Sequence, residues 1–175
     1  MNLKYIKLIA ILNIFLISFP AHFFYDFFPN TLTSIIFPVN ESVFEHMKLI
    51  FTSTLIYGLI DYLLLRINNI KYNNFIFQLF FTSFISIPIF LIIYLPIRFI
   101  FGEYLILTLI LLFITYVISQ IISYKILETK PLTFLNIISI PLIIIIYSIF
   151  TILTLNPPKN FFFYDTLTNS YGIPK

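Results

Sequence analysis

Apolar residues in this chain run in long unbroken blocks instead of recurring at the spacing of a half-buried helix or strand. Residues 85–97 and 104–124 carry no charge at all. Blocks of this kind approach the roughly 20 residues that a helix needs to cross the hydrocarbon core of a bilayer. Five of them predict an all-α fold, a polytopic transmembrane helical bundle built as a single integral-membrane domain. The expected spans are residues 5–28, 41–66, 75–97, 103–127 and 132–155, with a tail over 156–175. Between them lie short breaks: Pro29-Asn30, an Asn-rich stretch over 67–74, a tight hairpin over 98–102 and a turn over 128–131. Pro157-Pro158 stops the last span. Pro20, Pro88, Pro96 and Pro141 fall inside spans, where each removes a backbone donor. Such sites are tolerated where a neighbour satisfies the freed carbonyl. No A-x-A-like cleavage site follows the first block, which reads as an uncleaved first span.

Composition reinforces this pattern. The chain is 175 residues long, 60% hydrophobic and 10% charged, with a mean hydropathy of +1.02. Seven acids and ten bases cannot cover the surface of a soluble domain this size. The expected partner is the lipid bilayer. The twelve tyrosines suit its interfaces. There is no cysteine, which excludes a disulfide, a thiolate nucleophile and a Cys-ligated zinc. The net charge of +3 is dispersed, so nucleic acid is not an expected partner. With the N-terminus inside, Lys4, Lys7, Arg66, Lys71, Lys125 and Lys130 fall on the cytoplasmic side. Lys48, Arg98, Lys159 and Lys175 fall outside. That bias sets the orientation, and five spans then place the C-terminus outside.

This topology gathers scarce polar groups at the outer face. His22 and Asp26 end the first span, and Asn40, Glu41, Glu45 and His46 begin the second. Arg98 and Glu103 lie in the hairpin, and Tyr164, Asp165 and Tyr171 in the tail. His22 and Asp26 are four apart on one helical face, so Asp26 is expected to fix the imidazole tautomer. The second span is about 39 Å long, more than a membrane needs, so its first turns stand at the headgroups. Steps of ~100° place Glu41, Glu45 and Lys48 on one stripe, consistent with a hydrated, salt-bridged face, and turn His46 ~100° from Glu45. His46 then needs partners from another helix, and His22 with Asp26 are the natural ones. Ser42 and Glu45 have capping-box spacing, with Asn40 as the alternative cap.

The candidate acid–base groups are therefore His22, Asp26, Glu41, Glu45 and His46. Asn40, Arg98, Asp165 and Tyr171 are candidate ligand-binding groups, with Arg98 as an anion clamp. His22, His46 and Glu45 are the candidate ligands of a divalent metal such as zinc, as a His₂-carboxylate set. Asp61 lies deeper in the second span, where an ionisable group marks function unless Arg66, Lys71 or Lys125 neutralises it. The aromatic tail over 161–172 is expected to fold over the polar cluster.

The string Phe37-Pro38-Val39-Asn40-Glu41-Ser42-Val43-Phe44-Glu45-His46-Met47-Lys48, with His22-Phe23-Phe24-Tyr25-Asp26 upstream, resembles an uncharacterised family of small multi-pass membrane proteins from Firmicutes and related bacteria. Members read N-E-S-[VI]-W-E-H-[LM]-K here, and Phe44 replaces the tryptophan. Their tail resembles D-P-x-T-G-x-Y-G, in which Thr166 and Asn169 replace the proline and first glycine. The resemblance implies a bacterial plasma-membrane protein with a shared site and implies no reaction.

Three readings follow. The first is an enzyme that hydrolyses or transfers a group on a lipid-like substrate. It requires two histidines and a carboxylate within ~5 Å and an open metal position. The second is a binding or transport module for a small polar ligand, with a pocket reaching toward the midplane near Pro88 and Pro141. The third is an accessory subunit whose polar groups are paired off with backbone and enclose no cavity.

Overall fold

A computed structural model describes residues 1–173. Its elements are α1 (Leu3–Phe27), α2 (Thr31–Ile36), α3 (Val43–Ile67), α4 (Phe75–Phe101), α5 (Leu105–Glu128), α6 (Thr133–Leu155), β1 (Tyr164–Asp165) and β2 (Ser170–Tyr171). All helices except α2 are long and apolar enough to cross a bilayer.

Local sequence explains where the boundaries differ from expectation. The short α2 replaces a bare connection. It is set by a capping box in which the Asn30 side chain accepts from the Thr33 amide and the Thr33 hydroxyl accepts from the Asn30 amide. The fourth helix runs one turn past residue 97, so Arg98 sits in its last turn and not in a hairpin. It stops at Gly102, whose φ of 83° glycine adopts without strain.

α1, α3, α4 and α5 form a closed ring in which each packs on its two neighbours. α6 lies outside the ring against α4 and also receives α2. Lipid tails are as apolar as leucine, so helices gain little by burying hydrocarbon against one another. The seams hold small and hydroxyl residues instead, among them Ser53, Gly58, Thr82, Ser83, Ser119 and Ser123. Several hydroxyls are satisfied within their own helix, as Thr54 donating to the Ile50 carbonyl and Thr115 to that of Leu111. At Gly58 a Cβ would come within 2.4 Å of Leu79 Cδ1, so the Leu79 side chain of α4 lies directly on the α3 backbone there. Large apolar side chains face outward, as Ile137, Ile144 and Ile152 do on α6.

α1 runs antiparallel to α3 in a fixed register. Lys7 meets Asp61 at one end and His22 meets His46 at the other, with equal chain lengths between. The Lys7–Asp61 ion pair is buried. Lys7 therefore neutralises Asp61, and not Arg66, Lys71 or Lys125 as expected from proximity in sequence.

Candidate metal centre at one rim of the bundle

Capping at the start of α3 decides which carboxylate reaches the histidines. The Asn40 Oδ1 accepts from the Ser42 amide at 2.9 Å, and the Ser42 hydroxyl accepts from the Glu45 amide at 3.3 Å. Ser42 is the N-cap in extended conformation, so the helix begins at Val43. Glu41 lies before it and is free of the helical wheel. The stripe joining Glu41, Glu45 and Lys48 consequently does not form.

Glu45 departs most from expectation. It is buried, not hydrated, and does not join the histidines. One carboxylate oxygen accepts from the Thr154 hydroxyl at 2.8 Å, and the other takes Lys48 Nζ at 2.6 Å and the Val39 amide at 3.2 Å. Lys48 Nζ donates further to the Ser34 carbonyl at 2.8 Å. Every strong partner of this acid is taken, and the pair ties α2, α3 and α6 together. A buried pair of this kind is a pillar whose single-sided removal strands a charge.

Glu41 takes the place foreseen for Glu45. Its Oε2 lies 3.3 Å from His22 Nε2 and 3.6 Å from His46 Nε2. The two imidazole centroids are 5.5 Å apart. One ligand atom from each of the three residues falls within 4.8 Å of the others. Bonds of about 2.0–2.1 Å at tetrahedral angles put ligand atoms about 3.3–3.4 Å apart, so the two histidine–carboxylate spacings fit the edges of a zinc tetrahedron. His46 Nδ1 lies 2.9 Å from the Ser42 carbonyl and must donate to it. A neutral His46 then presents a bare Nε2 to a carboxylate oxygen, and two acceptors face each other. A cation between them, a proton or a metal ion, relieves that opposition. The Glu41 carboxyl is held below its ordinary range by its hydrogen bond from His22, against the opposing effect of partial burial and with help from the charges of both imidazoles.

Asp26 takes no part. It is exposed and makes no hydrogen bond or ion pair among the described residues, and His22 Nδ1 is buried with no partner among them. The expected Asp26–His22 couple is absent because the last turn of α1 carries Asp26 outward.

A cavity of about 140 Å³ opens beside the cluster, lined by Glu41 and His46 together with Tyr94, Glu103, Thr108 and Thr166. Arg98 forms an ion pair with Glu103 and lies 5.9 Å over the Tyr94 ring. It is thus engaged and not an open anion clamp. The tail packs onto this rim. Phe162 offers its carbonyl to the Phe44 amide at 2.9 Å, satisfying an orphan donor of α3. Asn40 Nδ2 donates to the Gly172 carbonyl at 2.7 Å, and the Thr166 hydroxyl to Glu103 at 2.9 Å. Asn40 therefore straps two backbone segments together. Asp165 is buried and accepts from the Leu167 amide and the Thr168 hydroxyl, closing the turn between β1 and β2. Tyr171 rests on Tyr164 with centroids 5.2 Å apart. Tyr94, Tyr104, Thr108 and Leu167 line the cavity without any motif to announce them. Their one sequence signal is a cluster of hydroxyls and aromatics at span ends. A second cavity, about 370 Å³, lies at the opposite end between α1 and α5. Neither of these two cavities is lined by residues beside Pro88 or Pro141.

The chain belongs to a family of unknown function, DUF6512, whose model matches residues 1–173. Searches of curated proteins and of solved structures found no match.

Proposed function

We propose that this protein holds a divalent metal ion, zinc by its donor set, between His22, Glu41 and His46, and uses it to hydrolyse or transfer a group on a lipid-like substrate. The site would face outward from a bacterial plasma membrane, as the lysine and arginine bias favours. One observation carries the reading: a single Glu41 oxygen stands 3.3 and 3.6 Å from two imidazole nitrogens on different helices. Three protein ligands leave a tetrahedral ion one open position, the arrangement of catalytic zinc. Bound there, the metal would supply Lewis acidity and a water of lowered pKa.

The chain's own groups set the rest. The Ser42 carbonyl holds His46 in the tautomer that presents Nε2. Tyr94, Thr108 and Thr166 offer hydroxyls to a polar head in the adjoining cavity. Leu105, on the same cavity, is exposed, so an acyl tail could lie along the outside of the bundle while the head enters.

The test is metal analysis of protein purified in detergent, with folding followed by circular dichroism. Stoichiometric zinc is expected in the parent chain and in Asp26→Asn. Loss is expected in His46→Ala, His22→Ala and Glu41→Gln. Zinc that is absent from the folded parent, or that survives His46→Ala, would overturn the reading. Zinc-dependent release of product from a bacterial lipid extract then tests the reaction class.

A further inference from the structure

The interior between α1, α3 and α5 is more polar than helix packing requires. On α3, Ser53, Tyr57 and Asp61 follow one another at four-residue intervals and share one face. On the facing side of α1, Lys7 and Ser18 point inward and are buried. From α5, the buried Tyr116 hydroxyl meets that of Ser18 at 2.7 Å. Asp61 Oδ1, Gln120 Oε1 and Ser123 Oγ are buried without a hydrogen-bond partner among the described residues, and Ser53 Oγ and Tyr57 Oη make no well-formed bond there, with only Tyr116 and Asn13 near them. Each such atom costs about 1–3 kcal/mol if left dry. Five along one seam are too many for a dry core, and polar sites of this kind are where proteins hold internal water. The larger cavity, bounded by Lys7 and Gln120, gives solvent a way in at the Lys7 end. The smaller one opens at the opposite rim. Successive groups on each helix are separated by about one turn, ~6 Å, a gap that one or two waters bridge.

We propose that this seam is a hydrated column that conducts protons across the membrane, with the Lys7–Asp61 pair as its charged gate. A proton entering from the cavity side displaces the lysine from the aspartate. It then passes along water and the hydroxyls of Tyr57, Ser53, Tyr116 and Ser18 to the cavity at the other rim. Other ions are refused because the column offers single hydroxyls, not a coordination shell. Ionisable groups inside a membrane span commonly mark such routes. The inference does not rest on the metal site, and a chelator keeps the two apart.

The experiment reconstitutes the full chain into phosphatidylcholine–phosphatidylglycerol vesicles containing a pH-sensitive dye. A potassium gradient with valinomycin drives protons, with chelator throughout. Acidification several-fold faster than in protein-free vesicles is expected. Tyr57→Phe and Ser53→Ala are each expected to slow it several-fold, and Asp61→Asn to return it to the protein-free rate. Tyr57→Phe and Ser53→Ala strand no charge, so they keep the test decisive should Asp61→Asn fail to fold. A parent rate equal to that of empty vesicles overturns the proposal, and so does a rate indifferent to both hydroxyl deletions.

Discussion

Asn40 and Ser42 both use their side chains on backbone amides, and so Glu41 faces two imidazoles while Glu45 is buried against Lys48. The consequence for Glu41 is a stability that depends on pH. Its carboxyl is held below the ordinary 4.5 chiefly by the His22 hydrogen bond. A depressed carboxylate contributes stability in full above its unfolded value, and that contribution fades as pH falls through the folded value. Metal-free protein in chelator should therefore melt higher than Glu41→Gln at pH 6, and the gap should narrow as pH falls below the ordinary 4.5. A gap that stays constant or widens in acid would remove the ionised carboxylate from the account. The sequence singled out the two histidines and both acids beside them, with Glu45 placed first as the ligand, but it did not decide which acid would face the imidazoles. A helical wheel begun at Glu41 presupposes where the helix starts. That start depends on a competition between two capping side chains, which spacing alone does not decide.

At the scale of elements, the apolar blocks foretold five long helices because lipid allows little else to span it. The fine structure was less legible. α2 depends on a reciprocal Asn30–Thr33 cap buried in what reads as a loop. The partner of Asp61 was hidden because it comes from α1, fifty-four residues away in sequence. An antiparallel register between the first two long helices would have found it. The seams themselves rest on small residues, and at Gly58 the Leu79 side chain leaves no room for a Cβ. Gly58→Ala has to displace only the flexible end of Leu79. Gly58→Val adds branching that the gap cannot absorb and should cost about 1–3 kcal/mol, as overpacking does elsewhere. Reversible unfolding in mixed micelles measures this, and a valine variant as stable as the parent would show that α3 and α4 are not in close contact there.

For the whole molecule, the cluster, the smaller cavity and the β1–β2 pair share one end of the bundle, so orientation decides which compartment they serve. A chain without cysteine makes that measurable with single substitutions. Pro29→Cys and Lys159→Cys should react with a membrane-impermeant maleimide on intact cells. Lys71→Cys and Lys130→Cys should react only after permeabilisation. The reverse pattern would turn the site toward the cytoplasm. The rim is also built from both halves of the chain. Glu45 needs the Thr154 hydroxyl from α6, and the Phe44 amide needs the Phe162 carbonyl beyond it. During synthesis, His22, Glu41 and His46 emerge long before those late supports. A half-made chain thus carries both imidazoles and Glu41 before the contacts from α6 and the tail that brace the start of α3 exist, so the rim takes its final shape only when the last residues arrive.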